Sequence, residues 1–207
     1  MDLAWGEGES VALYNRLDLD PSEPVSPFRI ARKMFGPECI TRTPILMAAA
    51  STAIVNGRRI IAVRRSVPVE YQGFFVAHEI AHTLMQDAHY EGDDEDQERM
   101  ADYLGACIVC PAPAARELYK QFGRDFEAIS DELGSTQTFT ALRLAEVRRI
   151  PRIIVTPKKV YDRLPEEWSR PSPAEMRKLA TSNRPGLTKM RLTDAPGRIV
   201  VDVDEAI

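Results

Sequence analysis

At 207 residues the chain can bury a substantial core, either as one domain with an appendage or as two small ones. Its 27 basic and 31 acidic residues leave a net charge of −4, which argues against a general phosphate-binding surface, and no apolar run approaches bilayer length. Three cysteines are too few, and too odd a set, for a disulfide framework. Cys107 and Cys110 form a C-x-x-C without the second pair a structural zinc knuckle needs, so they read as small apolar residues on a buried helix. The opening stretch MDLAWGEGES has no basic and apolar leader pattern, and the cytoplasm is the expected location.

In chain order, residues 1–24 read as an N-terminal segment. The amphipathic segment SPFRIARKMFG, residues 26–36, follows, where Phe28, Ile30, Ala31, Met34 and Phe35 recur near helical spacing until Gly36-Pro37 ends it. The stretch STAIVNGRRIIAVRR places β-branched residues around Asn56-Gly57, the dipeptide of a type I′ turn, and predicts a hairpin over about 52–65. Its second strand, about Arg59–Arg64, would offer an outer edge to an extended peptide if that edge is free. A helix opening at Phe74 comes next, then the acidic loop DAHYEGDDEDQE, in which Asp94 and Gln97 read as a capping box for a second helix ending before Pro111. A further helix ends at Gly123, and residues 124–149 read as helix, glycine turn and helix. Beyond residue 150 lie seven of the fifteen prolines. RIIVTP reads as a strand, a loosely ordered linker is expected after it, and 187–205 is a candidate terminal hairpin.

The helix FFVAHEIAH carries the chemistry. His78 and His82, four residues apart, fall on one face and can offer two imidazole nitrogens to one ion. Glu79 is rotated off the metal yet close to a water the metal activates, the arrangement of a general base in H-E-x-x-H. The apolar surroundings, from Phe74 to Leu84, bury polar groups that need a partner, and a shared cation supplies one. For the third ligand, the metzincin pattern fails, because Met85 and Ala88 stand where it requires glycine and histidine. Glu98, on the crossing helix, is the better candidate, with Asp102 one turn on to fix a histidine tautomer. Glu91, Asp93, Asp94, Glu95, Asp96 and His89 are alternatives within reach in sequence. His89 and Tyr90, in the loop after the helix, are candidate transition-state stabilisers, with Tyr71 and Tyr103 also near in sequence.

FFVAHEIAH followed by ERMADYLGACIVCP resembles the ImmA/IrrE family of metallopeptidases. In that family an H-E-x-x-H helix is followed by one reading E-x-x-A-[DN]-x-F-A and ending near L-L-M-P. The resemblance implies His78 and His82 as zinc ligands, Glu98 as the third, Glu79 as general base, and one Zn²⁺ per chain. Leu104, Gly105 and Cys110 depart from the pattern, standing for an aromatic, an alanine and a methionine. The implied fold is α+β, a mainly helical metallopeptidase core over 25–160 with a small sheet beside the active helix; the proline-rich extension over 161–207 is read from composition and has no counterpart in the resemblance. The implied function is intracellular, site-specific proteolysis of a DNA-binding repressor in stress-response or mobile-element circuits.

Two other readings compete. Residues 124–149 could form a DNA-binding or regulatory module that displays Thr136, Gln137, Thr138, Thr140 and Arg143. Residues 124–150, however, hold four basic and five acidic side chains, so direct nucleic-acid binding is not expected. The motif also suits a metal hydrolase acting on a non-protein substrate. No membrane partner is implied.

Overall fold

The computed structural model describes residues 3–156, 159–164, 171–182, 187–192 and 198–203. The fold is α+β, and the chain divides into two compact units: Met1–Ala114 with Glu132–Ser135, and Ala115–Asp131 with Thr136–Ile207.

The first unit opens with a helix that the hydrophobic pattern does not announce, α1 (Leu3–Arg16). Gly6 is the reason it packs so closely, since a Cβ there would stand 2.8 Å from the ring of Tyr103. Leu13 and Tyr14 are buried from α1, and the Tyr14 hydroxyl donates to the carbonyl of Ile108 at 3.0 Å. Next, α2 (Pro27–Phe35) starts on a proline pre-set for the first turn and stops at Gly36, whose φ of 97° suits only glycine well.

Three strands follow, β1 (Ile40–Thr43), β2 (Ala50–Val55) and β3 (Arg58–Arg64). Asn56 and Gly57 have φ of 52° and 74°, as the two central positions of a type I′ turn require, and they join β2 to β3 in the expected hairpin. β3 is the central strand, paired antiparallel to β2 and parallel to β1, so the outer edge expected on β3 is covered. The sequence gives no local hint of β1, because a parallel partner is joined through distant chain. Among the described residues, the open edges belong to β1 and β2.

Two helices pack against each other behind this sheet. α3 (Val69–Asp87) begins at Val69 rather than Phe74, one turn masked in sequence by Gln72 and Gly73; the buried Gln72 amide donates to the Val67 carbonyl at 2.8 Å. α4 (Asp94–Val109) is capped by Asp93, which accepts from the Asp96 amide at 2.8 Å. The cap therefore sits one residue before the expected Asp94, and Gln97 donates instead to the Gly92 carbonyl. Val76, Ile80 and Leu84 of α3 and Met100, Leu104 and Ile108 of α4 are buried, each contributing roughly 1.5–3 kcal/mol. Cys39, Cys107 and Cys110 are buried as well.

The chain continues through α5 (Ala112–Phe122), α6 (Phe126–Leu133) and α7 (Gln137–Arg148), with Gly123 and Gly134 at positive φ closing the first two. α7 overturns the idea of a base-reading helix. Thr136 is its N-cap, accepting from the Phe139 amide at 3.1 Å, and Thr136, Gln137, Thr140 and Arg143 are buried rather than displayed. Polar residues there serve the helix start and interior.

The second unit contains an antiparallel sheet ordered β5-β4-β7-β6, from β4 (Arg152–Val155), β5 (Val160–Arg163), β6 (Leu187–Arg191) and β7 (Ile199–Val203). Between β5 and β6 lies α8 (Pro173–Thr181), where a linker was expected; Ser172 and Glu175 cap it reciprocally, with Pro173 in the first turn. Ile153, Val155, Val201 and Val203 of the sheet enclose a small core with Met176 and Ala180 of α8. The turn of the hairpin expected over 187–205 lies outside the described residues, though β6 and β7 pair with Leu187 opposite Val203. No described helix is long and apolar enough to cross a membrane.

Candidate metal centre

One face of α3 and one of α4 meet at a pocket of about 590 Å³ whose lining includes His78, Glu79, His82, Thr83, Gln86, Glu98 and Asp102. The close approach depends on Gly105 of α4. A Cβ there would lie 3.1 Å from the backbone nitrogen of His78 and 3.2 Å from its Cα, tighter than a side chain ordinarily allows. Helical spacing then does the rest, because His78 and His82 stand one above the other while Glu98 and Asp102 face them from α4.

The Nε2 atoms of His78 and His82 are 3.0 Å apart. Glu98 places Oε2 3.4 Å from His78 Nε2 and Oε1 3.3 Å from His82 Nε2. The other ring nitrogen of His78, Nδ1, lies 2.9 Å from Asp102 Oδ1. An ionised carboxylate only accepts, so Asp102 holds the proton on Nδ1 and leaves the Nε2 lone pair facing His82 and Glu98. Burial works against a charged His78 and is the largest influence on it, yet the hydrogen bond and charge of Asp102, with Glu79 and Glu98 adding, raise its pKa above the ordinary histidine value. The field at Nε2 is thus one that favours a cation.

This donor set fits a metal ion. His78, His82 and Glu98 each offer one ligand atom, all within 4.8 Å of one another, and they form the metal-type grouping found among the described residues. A tetrahedral ion with bonds of about 2.0–2.1 Å sets neighbouring ligand atoms roughly 3.3 Å apart, close to the three separations here. Two imidazoles and a carboxylate suit zinc.

Glu79 stands beside this group without joining it. It is 9% exposed, and its Oε2 accepts from the Thr52 hydroxyl at 2.7 Å. Thr83, one turn on, donates to the Glu79 carbonyl at 3.2 Å and accepts from Arg59 Nη1 at 3.1 Å. Thr52 and Arg59 come from β2 and β3, and the α3 sequence contains no signal for either. The alternation of buried Ile61 and Val63 with Arg59 on β3 was the available clue, since it puts Arg59 on the inward face.

β2 forms one wall, with Ala50, Ser51 and Thr52 lining the pocket. The amide of Ile61 donates to Cys39 on the β1 side, and Thr52 is the partner of Ile61 across β2 and β3. In antiparallel pairing this makes 52 and 61 a non-hydrogen-bonded pair, so the Thr52 amide and carbonyl turn outward to the open edge. His89 and Tyr90 do not line the pocket. His89, at φ 52°, donates from Nδ1 to the Gln86 carbonyl at 3.2 Å, and Tyr90 packs on Trp5 with ring centroids 5.3 Å apart. Glu91, Asp93, Asp94, Glu95 and Asp96 are outside the pocket lining too.

A pair of helices presenting two histidines and a carboxylate beside a buried glutamate is an arrangement that suits a metallopeptidase-type protein. Residues 40–145 match the Peptidase_M78 family, described as the IrrE N-terminal-like domain, and the chain belongs to that family. A solved structure titled Mycobacterium tuberculosis transcriptional regulator is similar in fold, with a TM-score of 0.60 at 13% identity, over 97% of this chain and 88% of that one. No curated protein sequence matches the chain.

Proposed function

We propose that the chain is a zinc-dependent, site-specific endopeptidase that cuts a regulatory protein, with His78, His82 and Glu98 as ligands, Asp102 as the partner of His78, and Glu79 as general base. The observation that carries the reading is the convergence of His78 Nε2, His82 Nε2 and the Glu98 carboxylate at 3.0–3.4 Å, with Glu79 beside them, in a chain of a peptidase family.

When bound, the ion would polarise the scissile carbonyl and lower the pKa of a water from its bulk value towards about 7. Glu79 would serve as the proton acceptor for an attacking water and as the donor to the leaving amine. Thr52 holds the Glu79 carboxylate in one orientation through its 2.7 Å hydrogen bond. Asp102 keeps His78 in the tautomer that leaves Nε2 available. The outward amide and carbonyl of Thr52 on the β2 edge would hold an extended segment of substrate as an added strand across the pocket.

The partner we favour is a helix-turn-helix repressor, in a cytoplasmic stress-response or mobile-element circuit. A structural neighbour titled a transcriptional regulator is compatible with that setting. The burial of Thr136, Gln137, Thr140 and Arg143 weighs against the alternative, DNA binding by this chain itself. The test is to trap partners with Glu79→Gln and incubate the captured protein with wild type and with Glu79→Gln. One or a few cuts in an exposed segment, made by wild type alone, is the expected result, with casein scarcely touched. Digestion of casein at many sites would refute the narrow specificity, and cleavage that persists in Glu79→Gln would refute the mechanism.

A further inference from the structure

We infer that Arg59 forms an anion-reading subsite of this pocket, so that the preferred substrate carries an aspartate or glutamate two residues from the position level with Glu79. The inference rests on the peptidase reading above and adds a substrate class to it.

Arg59 lines the same pocket as His78, Glu79 and His82. Its guanidinium is held from two sides. Nη1 donates to the Thr83 hydroxyl at 3.1 Å, and the group lies over the ring of Phe35, 5.6 Å from the centroid. Neither contact neutralises its charge, and among the described residues no carboxylate pairs with it, whereas its neighbour Arg58 faces Glu38 at 3.7 Å. A guanidinium has five donors in a planar fork that matches a carboxylate, and one donor here is engaged with Thr83. A positioned, part-buried arginine with donors left over in a peptide-sized pocket is a recognition element. A stabilising role alone would not need the pocket.

The strand register says where on the substrate the charge must lie. Thr52, whose hydroxyl marks the level of Glu79, pairs with Ile61, while Arg59 pairs with Ile54, two residues further along β2. A strand advances about 3.3 Å per residue and returns to the same face every second residue, so Arg59 sits roughly 7 Å along the groove from the Glu79 level. An extended segment laid on the β2 edge with one side chain level with Glu79 therefore directs the side chain two residues away towards Arg59. A carboxylate there would meet the free donors, and a lysine or arginine would meet an uncompensated like charge.

Three peptidyl hydroxamates test this by binding, without requiring turnover. They are identical except for glutamate, glutamine or lysine two residues from the metal-binding group, and a parent hydroxamate lacks that side chain. With the zinc-loaded full chain, titration calorimetry should find the glutamate probe about tenfold tighter than the glutamine probe, as a charge-assisted hydrogen bond would give, with the lysine probe weakest. Arg59→Gln should bring the glutamate-to-glutamine ratio close to one, and Arg59→Glu should favour lysine. Because each ratio compares probes on one protein, a change in overall affinity does not confound it. If the parent binds and wild type treats all three probes alike, the subsite is wrong and the metal centre stands. If the parent does not bind zinc-loaded protein, the peptidase reading fails and takes the subsite with it.

Discussion

Both units of the chain bring charged side chains together, and they do so in opposite ways. In the second unit Arg152 is fully buried and its charge is paired: its Nε and Nη2 donate to the two oxygens of Asp202, its Nη1 donates to the Ala141 carbonyl at 2.6 Å, and its guanidinium lies 5.0 Å from the centre of the Phe126 ring. Arg124 adds a second cation at 3.4 Å from Asp202. In the first unit His78, His82 and Glu98 border a pocket, the Glu98 side chain is 63% exposed, and their ligand atoms all lie within 4.8 Å of one another. A closed network holds a fold together. An open, convergent one is arranged for something that comes and goes.

The comparison can be broken first at the closed network. Asp202→Ala leaves Arg152 buried without its carboxylate and should lower stability by about 3–5 kcal/mol in urea denaturation. Replacing both residues with apolar ones, Arg152→Met with Asp202→Leu, should recover most of that loss. A small effect of Asp202→Ala would mean that the pair is not what closes this sheet.

At the open network the largest effect should be on rate instead. Glu79→Gln keeps the shape of the side chain, and should reduce cleavage of the trapped partner about 10²–10⁴-fold while zinc content, read by elemental analysis, stays at the wild-type level. Loss of zinc together with activity would make Glu79 a ligand and undo its assignment as base.

Glu98→Ala should abolish tight zinc binding, and Asp102→Ala should weaken it on the order of 10–100-fold, both measured by competition with a chelating dye. Unchanged affinity in Glu98→Ala would move the third ligand elsewhere. The smallest effect is expected outside both networks. Ser172→Ala removes the cap of α8 and should lower stability by about 1 kcal/mol, with no change in zinc content.

What the sequence disclosed follows the same division between local and distant interactions. The H-E-x-x-H helix, the Asn56-Gly57 hairpin and the helix stop at Pro111 are local signals, legible from spacing, turn chemistry and the missing amide of proline. α8 was legible too, since Ser172, Pro173 and Glu175 form a capping box, but the surrounding prolines read as linker. α1 was hidden by Gly6 and Gly8, which lower helix propensity, and only the ring of Tyr103 far along the chain explains the first of them. The parallel pairing of β1 with β3 has no local signature at all, and it moved the open edge from β3 to β2. For the same reason Thr52 and Arg59 were not legible as parts of the pocket, being brought to α3 by the sheet rather than by the helix period. Thr136, Gln137 and Thr140 misled in the other direction, because polar side chains that cap or sit within a helix resemble a displayed face.

The central claim is that the convergent group on α3 and α4 holds a catalytic metal. Its most direct measurement is the zinc content of the full chain purified without added metal, beside His78→Ala prepared in the same way. The expected result is about one equivalent per chain in wild type and almost none in His78→Ala. A wild type that is free of metal and resists loading with zinc, while His78→Ala behaves identically, would contradict the account.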